Sequence, residues 1–350
     1  MTVSTKSKQG FPKVWNSFVA GLQKVGFSPL GLALFILVAV LPFIPPFNQE
    51  HILRWLIMGA FLAAQAVAFD FTAGYIGVVN FGFAAILGLG AYTSAILANT
   101  APYLVVQWGI TPWIGMWAGA LVAGLLGLLL GMLTLRLRGI FAAVMAWFVG
   151  IALMGLANNL TSLTRGSMGL HPSSLLQTSE NRPYYFVILA MLLLIYICLR
   201  LVTKSNYGLA FKALGQNLDA ARASGINPTR YRVLNFALSC FFAGLLGGFY
   251  AHFYGSLTPK TLMHTSKTVE VLAIAYIGGR GSLWGGIVTA FPFVFLIEYL
   301  RSNLTELPGL HLVIYGVLMI VVMVFYPSGL FGLYQWVREK IVHWWSSRRA

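Results

Sequence analysis

The sequence predicts an all-α fold of the membrane type, a polytopic transmembrane helical bundle of about ten spans. Three observations predict it. Apolar runs of spanning length recur from Leu30 to Phe331. Charged side chains make up 9% of the chain, where a soluble domain carries about 25%. The basic residues also fall mainly on alternate connections between the runs, as the positive-inside rule requires.

A bilayer core of about 30 Å takes roughly 20 apolar residues per helix. On that basis the predicted spans are 30–47, 52–72, 76–98, 112–135, 139–160, 183–202, 232–256, 265–279, 282–301 and 310–329. The first run follows Lys6, Lys8, Lys13 and Lys24, but it ends in Pro42 and Pro45–Pro46 with no small-residue cleavage site. It is read as a retained span rather than a signal peptide. The chain then divides into a basic N-terminus (1–29), a membrane domain (30–334) and a basic C-terminus (335–350).

Placing both termini inside a cell puts seventeen of the 23 basic residues on that side, with Arg54, Arg165, Arg182, Lys260, Lys267 and Arg301 outside. The net charge of +15 therefore reports topology beside acidic lipid, and no nucleic-acid partner is implied. Cys198 and Cys240 both fall within predicted spans, which points to packing rather than to a disulfide or a thiolate metal site.

One connection stands out by its length, 203–232 on the predicted cytoplasmic side. Leu209, Phe211, Leu214, Leu218 and Ala221 have the spacing of short amphipathic helices. Gly215 is expected to interrupt them, and Gly225 and Pro228 to stop them. Such helices serve either as a solvated connector or as an element that docks in a partner's groove.

Two segments read as broken or re-entrant helices. The first carries Gly74, Gly77, Gly82, Gly88 and Gly90, and the second Gly278, Gly279, Gly281, Gly285 and Gly286. One falls in each half of the chain, the pattern of a pseudo-repeat with a solute path at its interface. Gly74, Gly77, Gly82, Gly278, Gly279 and Gly281 are accordingly the expected hinge or broken-helix positions.

Catalytic chemistry is missing from the sequence. It contains no Walker A loop and no zinc-binding H-E-x-x-H. Arg165-Gly166-Ser167-Met168-Gly169 lacks the first glycine of a nucleophile elbow, and the six histidines stand singly. No enzymatic role, resident cofactor or metal site is expected. Three acids lie at membrane depth, Asp70, Glu270 and Glu298, where a charge faces a cavity or pairs with a neighbour. Either reading fits, since Lys267 stands at i,i+3 from Glu270. The expected path-lining residues are Asp70, Tyr75, Asn80, Thr93, Asn158, Glu270, Ser282 and Trp284.

Four stretches, taken in order, resemble a known family. They are GYIGVVNFGFAAILGLGAYTSAIL from Gly74, RGIFAAVMAWF with NNLTSLTRGSMGL from Arg138, GLAFKALGQNLDAARASGI from Gly208, and FFAGLLGGFYAHFYGSLTP continuing to IGGRGSLWGGIVTA. Together they resemble the permeases of ABC importers for branched-chain amino acids. The resemblance implies a second homologous permease, two cytoplasmic ATP-binding subunits carrying ATP and Mg, and an extracytoplasmic solute-binding protein. It also implies a multi-pass location in a bacterial inner membrane.

In such importers the long loop bears an E-A-A-x-x-x-G signature that docks on the ATPase. Here Asp219-Ala220-Ala221-Arg222-Ala223-Ser224-Gly225 matches it, with Asp for Glu. Gly215, Asp219, Ala220, Ala221 and Gly225 are thus the expected coupling residues. The chain departs from the family at Val78, Asn80 and Phe83 and places Arg280 inside the second glycine turn. Relatives of this shape also carry urea and amides, which leaves the solute open. The competing class is an ion-coupled secondary transporter.

Overall fold

The computed structural model describes residues 29–303, without Pro46, 100–107, Arg136, Arg138, Gly139 and Ser179, together with scattered positions from 313 to 329. The predicted basic tails and most of the predicted span 310–329 lie outside the described residues. Those that are described form a helical bundle, and the β-pairing among them is one isolated bridge between Leu170 and Leu257.

In chain order the helices are α1 (Pro29–Val40), α2 (Glu50–Ala73), α3 (Phe83–Leu97), α4 (Pro112–Thr134), α5 (Ile140–Asn159) and α6 (Thr161–Thr164). They continue with α7 (Asn181–Lys204), α8 (Asn206–Gln216), α9 (Leu218–Ala223), α10 (Pro228–Tyr254), α11 (Pro259–Leu262), α12 (Thr265–Gly278) and α13 (Trp284–Asn303). Among the described residues five helices, α2, α4, α5, α7 and α10, are long and apolar enough to cross a membrane. Three predicted spans are shorter than expected, and the first of them, 30–47, forms only the 12-residue α1 and a three-residue 3-10 turn. The 76–98 segment is helical only from Phe83, and 265–279 yields the 14-residue α12. At 1.5 Å per residue these helices extend only about 20 Å, less than a bilayer core.

The centre of the bundle is α2 against α10. Asn235 Nδ2 donates to the Phe71 carbonyl at 2.9 Å, and Ser239 Oγ donates to the Ala68 carbonyl at 2.7 Å. Between helices that lipid does not force together, such bonds and close backbone approach supply the cohesion. Close approach is most marked where α3, α4 and α10 meet. A Cβ on Gly90 would strike the backbone of Gly244, and one on Gly119 would strike the Gly90 carbonyl.

One arrangement occurs twice. A long helix (α2), a non-helical stretch (74–82) and a short helix (α3) are followed by α4, which packs on α3 and α10. Later a long helix (α10), a stretch from 255 to 264 containing only α11, and a short helix (α12) are followed by α13, which packs on α12 and α2. Each following helix therefore packs on the short helix of its own set and the long helix of the other.

The outward faces are apolar. Trp117, Leu121, Leu125 and Leu129 on α4, and Phe141, Phe148, Ile151 and Leu156 on α5, are all exposed. That inversion of the soluble pattern is what a hydrocarbon solvent selects. Cys240 is buried as expected for packing, while Cys198 lies exposed on α7.

Candidate functional site

Two regions gather the candidate residues, one at each end of the bundle. The first lies where the 203–232 connection meets the glycine segments. Its helices are cut by side-chain caps. Ser205 Oγ accepts the Tyr207 N–H at 3.2 Å, Asn217 Oδ1 accepts those of Asp219 and Ala220 at 3.0 Å each, and Asn227 Oδ1 accepts that of Thr229 at 3.0 Å. Asn and Ser start helices this way because their oxygens satisfy N–H groups that have no intrahelical partner.

The caps correct two expectations. Gly215 does not interrupt the helix; it lies inside α8, and the break comes two residues later at Asn217. Pro228 does not stop a helix but occupies the first turn of α10, where its missing N–H costs nothing. Of the apolar residues with helical spacing, Phe211, Leu214 and Ala221 turn inward, whereas Leu209 is exposed.

Gly215 is glycine because another backbone occupies the space of a side chain. A Cβ there would collide with the carbonyl of Tyr75, in the turn that ends α2. Tyr75 is buried, and Lys212 of α8 places its ammonium 5.6 Å from the centroid of the Tyr75 ring, within cation–π range. From this turn the chain runs without helix through Gly77–Asn80 to Gly82, which packs against the Ala146 carbonyl of α5.

The second glycine segment docks on the same turn. A Cβ on Gly74 would collide with the Asp70 carboxylate and with the backbone of Gly281. Asp70, 2% exposed, accepts the Gly281 N–H at 2.8 Å on Oδ1 and the Leu283 N–H at 3.1 Å on Oδ2. Arg280 Nε donates to the Ala73 carbonyl at 3.0 Å, which gives the departure at this position a local role. Gly77 and Gly281 both adopt positive φ, +78° and +76°, a region open to glycine at little cost. Leu283 is also left-handed, at φ 56°, and that conformation is stabilised by its bond to Asp70. Ser282 Oγ donates to the Gly279 carbonyl at 2.7 Å and accepts the Gly285 N–H at 2.9 Å, so it caps α13. A Cβ on Gly278 would strike Gly285, which closes the turn.

Asp219, Ala220 and Gly225 are exposed on the outer side of this junction, and Ala221 is buried beneath them. Arg222 approaches Asp219 at 4.0 Å, a distance at which an exposed pair contributes little.

The second region lies at the opposite end, where α2 begins and α10 finishes. A cavity of about 250 Å³ is lined by Arg54, Trp55, Tyr254, Lys267, Glu270 and Glu298, with Met58, Leu62, Val294 and Ile297 between them. A smaller space of about 40 Å³ continues inward past Gln65, Ala84, Leu87, Tyr250 and Thr261. Lys267 and Glu270 line both, and their side chains pair at 2.9 Å. Nearer the junction Phe69 and Phe83 are buried, and their rings meet edge-on at 5.4 Å.

The remaining candidates are dispersed. Asn80 Oδ1 accepts the Gly82 N–H at 3.1 Å, and Thr93 Oγ1 donates to the Leu89 carbonyl within its own helix. Asn158 lies at the end of α5, with its carbonyl against Gly166. Trp284 packs edge-on against Tyr196 and lines a separate, largely apolar cavity of about 170 Å³ between α1, α2, α7 and α13. Of the predicted path residues only Glu270 lines the polar cavity. Arg54, Lys267 and Gln65 were not among the predicted path residues, although a charge or amide within an apolar run is a readable signal.

Comparison with known proteins places this geometry in a family. The family described as Branched-chain amino acid transport system / permease component matches residues 51–323. The high-affinity branched-chain amino acid transport system permease protein LivM of Salmonella typhimurium is 29% identical over 286 residues, 73% of this chain and 64% of that protein. The chain thus spans somewhat less than two thirds of that relative. LivH of the same organism is 23% identical over 301 residues, 81% of this chain and 95% of LivH. A nucleoside ABC transporter permease protein, NupC of Lactococcus lactis, is 27% identical over half of this chain and 59% of its own length. No solved structure matches. With the match running through both glycine turns, the loop helices and the cavity wall, the chain belongs to the branched-chain amino acid transport system permease family.

Proposed function

We propose that this chain is a membrane-spanning permease subunit of an ATP-driven importer for branched-chain amino acids in a bacterial inner membrane. In this reading both termini are cytoplasmic, residues 30–334 form the permease domain, and 203–232 is its coupling loop. The partners are a second homologous permease, two cytoplasmic subunits that bind ATP and Mg, and an extracytoplasmic solute-binding protein.

The observation that carries the reading is the contact of Gly215 with Tyr75, which joins a surface helix to the turn between α2 and the broken segment. A displacement of α8 by a partner reaches Gly74 and, through Asp70 and Gly281, the start of α13. The twice-used long helix, break and short helix supports a pseudo-repeat of two halves that rock about one another. With the 203–232 connection facing the cytoplasm, the polar cavity opens outward and the path is closed inward by Phe69 and Phe83. Solute delivered to the cavity crosses when the junction shifts and those rings part.

Purification from native membranes in mild detergent tests this. The expected result is co-purification of an ATPase and a second permease, together with leucine-stimulated ATP turnover once the binding protein is added. A chain that purifies alone and carries solute on an ion gradient would establish the secondary-transporter class instead.

A further inference from the structure

Lys267 and Glu270 occupy a position that the path reading does not by itself explain. They stand at the neck between the two spaces, paired with each other at 2.9 Å, with Glu270 only 18% exposed and Lys267 43%. The outer space, at about 250 Å³, has room for a small solute; the inner, at about 40 Å³, has room for a few waters. Both belong to one turn of α12, so a solute passing from one space to the other runs alongside this pair. Around it the outer wall holds Arg54 and Glu298, so two cationic and two anionic side chains face one space.

We propose that Lys267 and Glu270 form an exchangeable ion pair that admits zwitterions. An α-carboxylate takes the place of Glu270 at the Lys267 ammonium, and an α-ammonium takes the place of Lys267 at Glu270. Both wall charges keep an opposite partner throughout, and the solute's hydrocarbon part rests on Met58, Leu62, Val294 and Ile297. A neutral solute offers neither charge, so the pair stays closed on itself and the solute gains no charge-assisted bond. A solute with a single charge satisfies one side only. The same cavity thus discriminates against an uncharged nucleoside or amide, whatever a binding protein delivers. The proposal rests on the permease reading above and adds to it the residues that select.

The test uses the purified full chain with whatever subunits accompany it, and no binding protein. Binding of radiolabelled L-leucine is competed with unlabelled L-leucine, L-leucinamide, 4-methylpentanoate and adenosine. L-Leucine is expected to compete at least about tenfold better than the other three, a difference of roughly 1.4 kcal/mol. Lys267→Met and Glu270→Gln should each erase that advantage. The double exchange Lys267→Glu with Glu270→Lys should recover part of it, which separates loss of the pair from loss of fold. Equal competition by all four compounds, no leucine binding by the wild type, or unchanged preference in monodisperse Lys267→Met would overturn the proposal. Failure of the importer reading shows elsewhere, as the absence of an ATPase from the purified complex, and leaves the competition series interpretable.

Discussion

At the junction end, α8 and the turns at Gly74–Gly77 and Gly278–Ser282 meet backbone to backbone, with Asp70 bonded to two N–H groups of a distant segment. At the cavity end, side chains of α2, α10, α12 and α13 line the space, and Lys267 and Glu270 pair there from one turn of α12. Main-chain contacts lack rotamers through which to yield, so a push on one element moves its neighbour. Long side chains re-orient within nanoseconds and accept new partners. A rigid end suits transmission and an adaptable end suits recognition, and the two ends should respond differently to the same kind of change.

The strongest way to break the comparison is to add volume at the rigid end. Gly74→Leu places atoms where the Asp70 carboxylate and Gly281 lie, and is expected to destabilise by about 3 kcal/mol or more. Thermal unfolding and monodispersity in detergent would register it. A variant as stable as wild type would mean that the junction yields as readily as the cavity.

Next in size is removal of the brace. Asp70→Ala leaves the N–H groups of Gly281 and Leu283 without their acceptor, at a cost of about 2–4 kcal/mol. Asp70→Asn retains one acceptor oxygen and should lose roughly half as much. Equal losses in the two variants, measured by the same unfolding, would argue that volume rather than hydrogen bonding holds the turn.

Gly215→Val probes transmission more than stability. It pushes α8 away from the Tyr75 carbonyl and should lower uptake per molecule by at least about tenfold, with membrane abundance retained. Vesicle uptake normalised to immunoblot reads this, and undiminished uptake would remove α8 from the route. The smallest effect belongs to Thr93→Val. Its hydroxyl bonds only the Leu89 carbonyl of its own helix, so stability and uptake should stay within about 0.5 kcal/mol of wild type. A large loss of uptake would bring Thr93 back to the path.

Much of the architecture was legible in local pattern. The run read as 52–72 forms Glu50–Ala73, and the glycines that marked a broken helix coincide with the non-helical Gly77–Asn80. The amphipathic spacing of the long connection appears as α8 and α9. The placement of the break within that connection was not legible, because Gly215 stands inside α8 where a remote carbonyl leaves no room for a side chain. Asp70 shows the same limit. Its depth in an apolar run announced a buried charge, but not that its partners lie 211 and 213 residues away.

What the sequence determined by itself is the solvent and the local vocabulary. Apolar runs, scarce charge and caps such as Asn217 and Asn227 act within a few residues, and their consequences are readable along the chain. What only the tertiary structure decided is which residues work together. Asp70 with Leu283, Gly215 with Tyr75, and Arg54 with Lys267 and Glu298 become neighbours through packing of helices far apart in sequence. The physical reason is range. Helix formation and the choice of an apolar solvent follow from composition and spacing within a short stretch, while burial, a long-range hydrogen bond or a shared cavity depends on where whole helices come to rest.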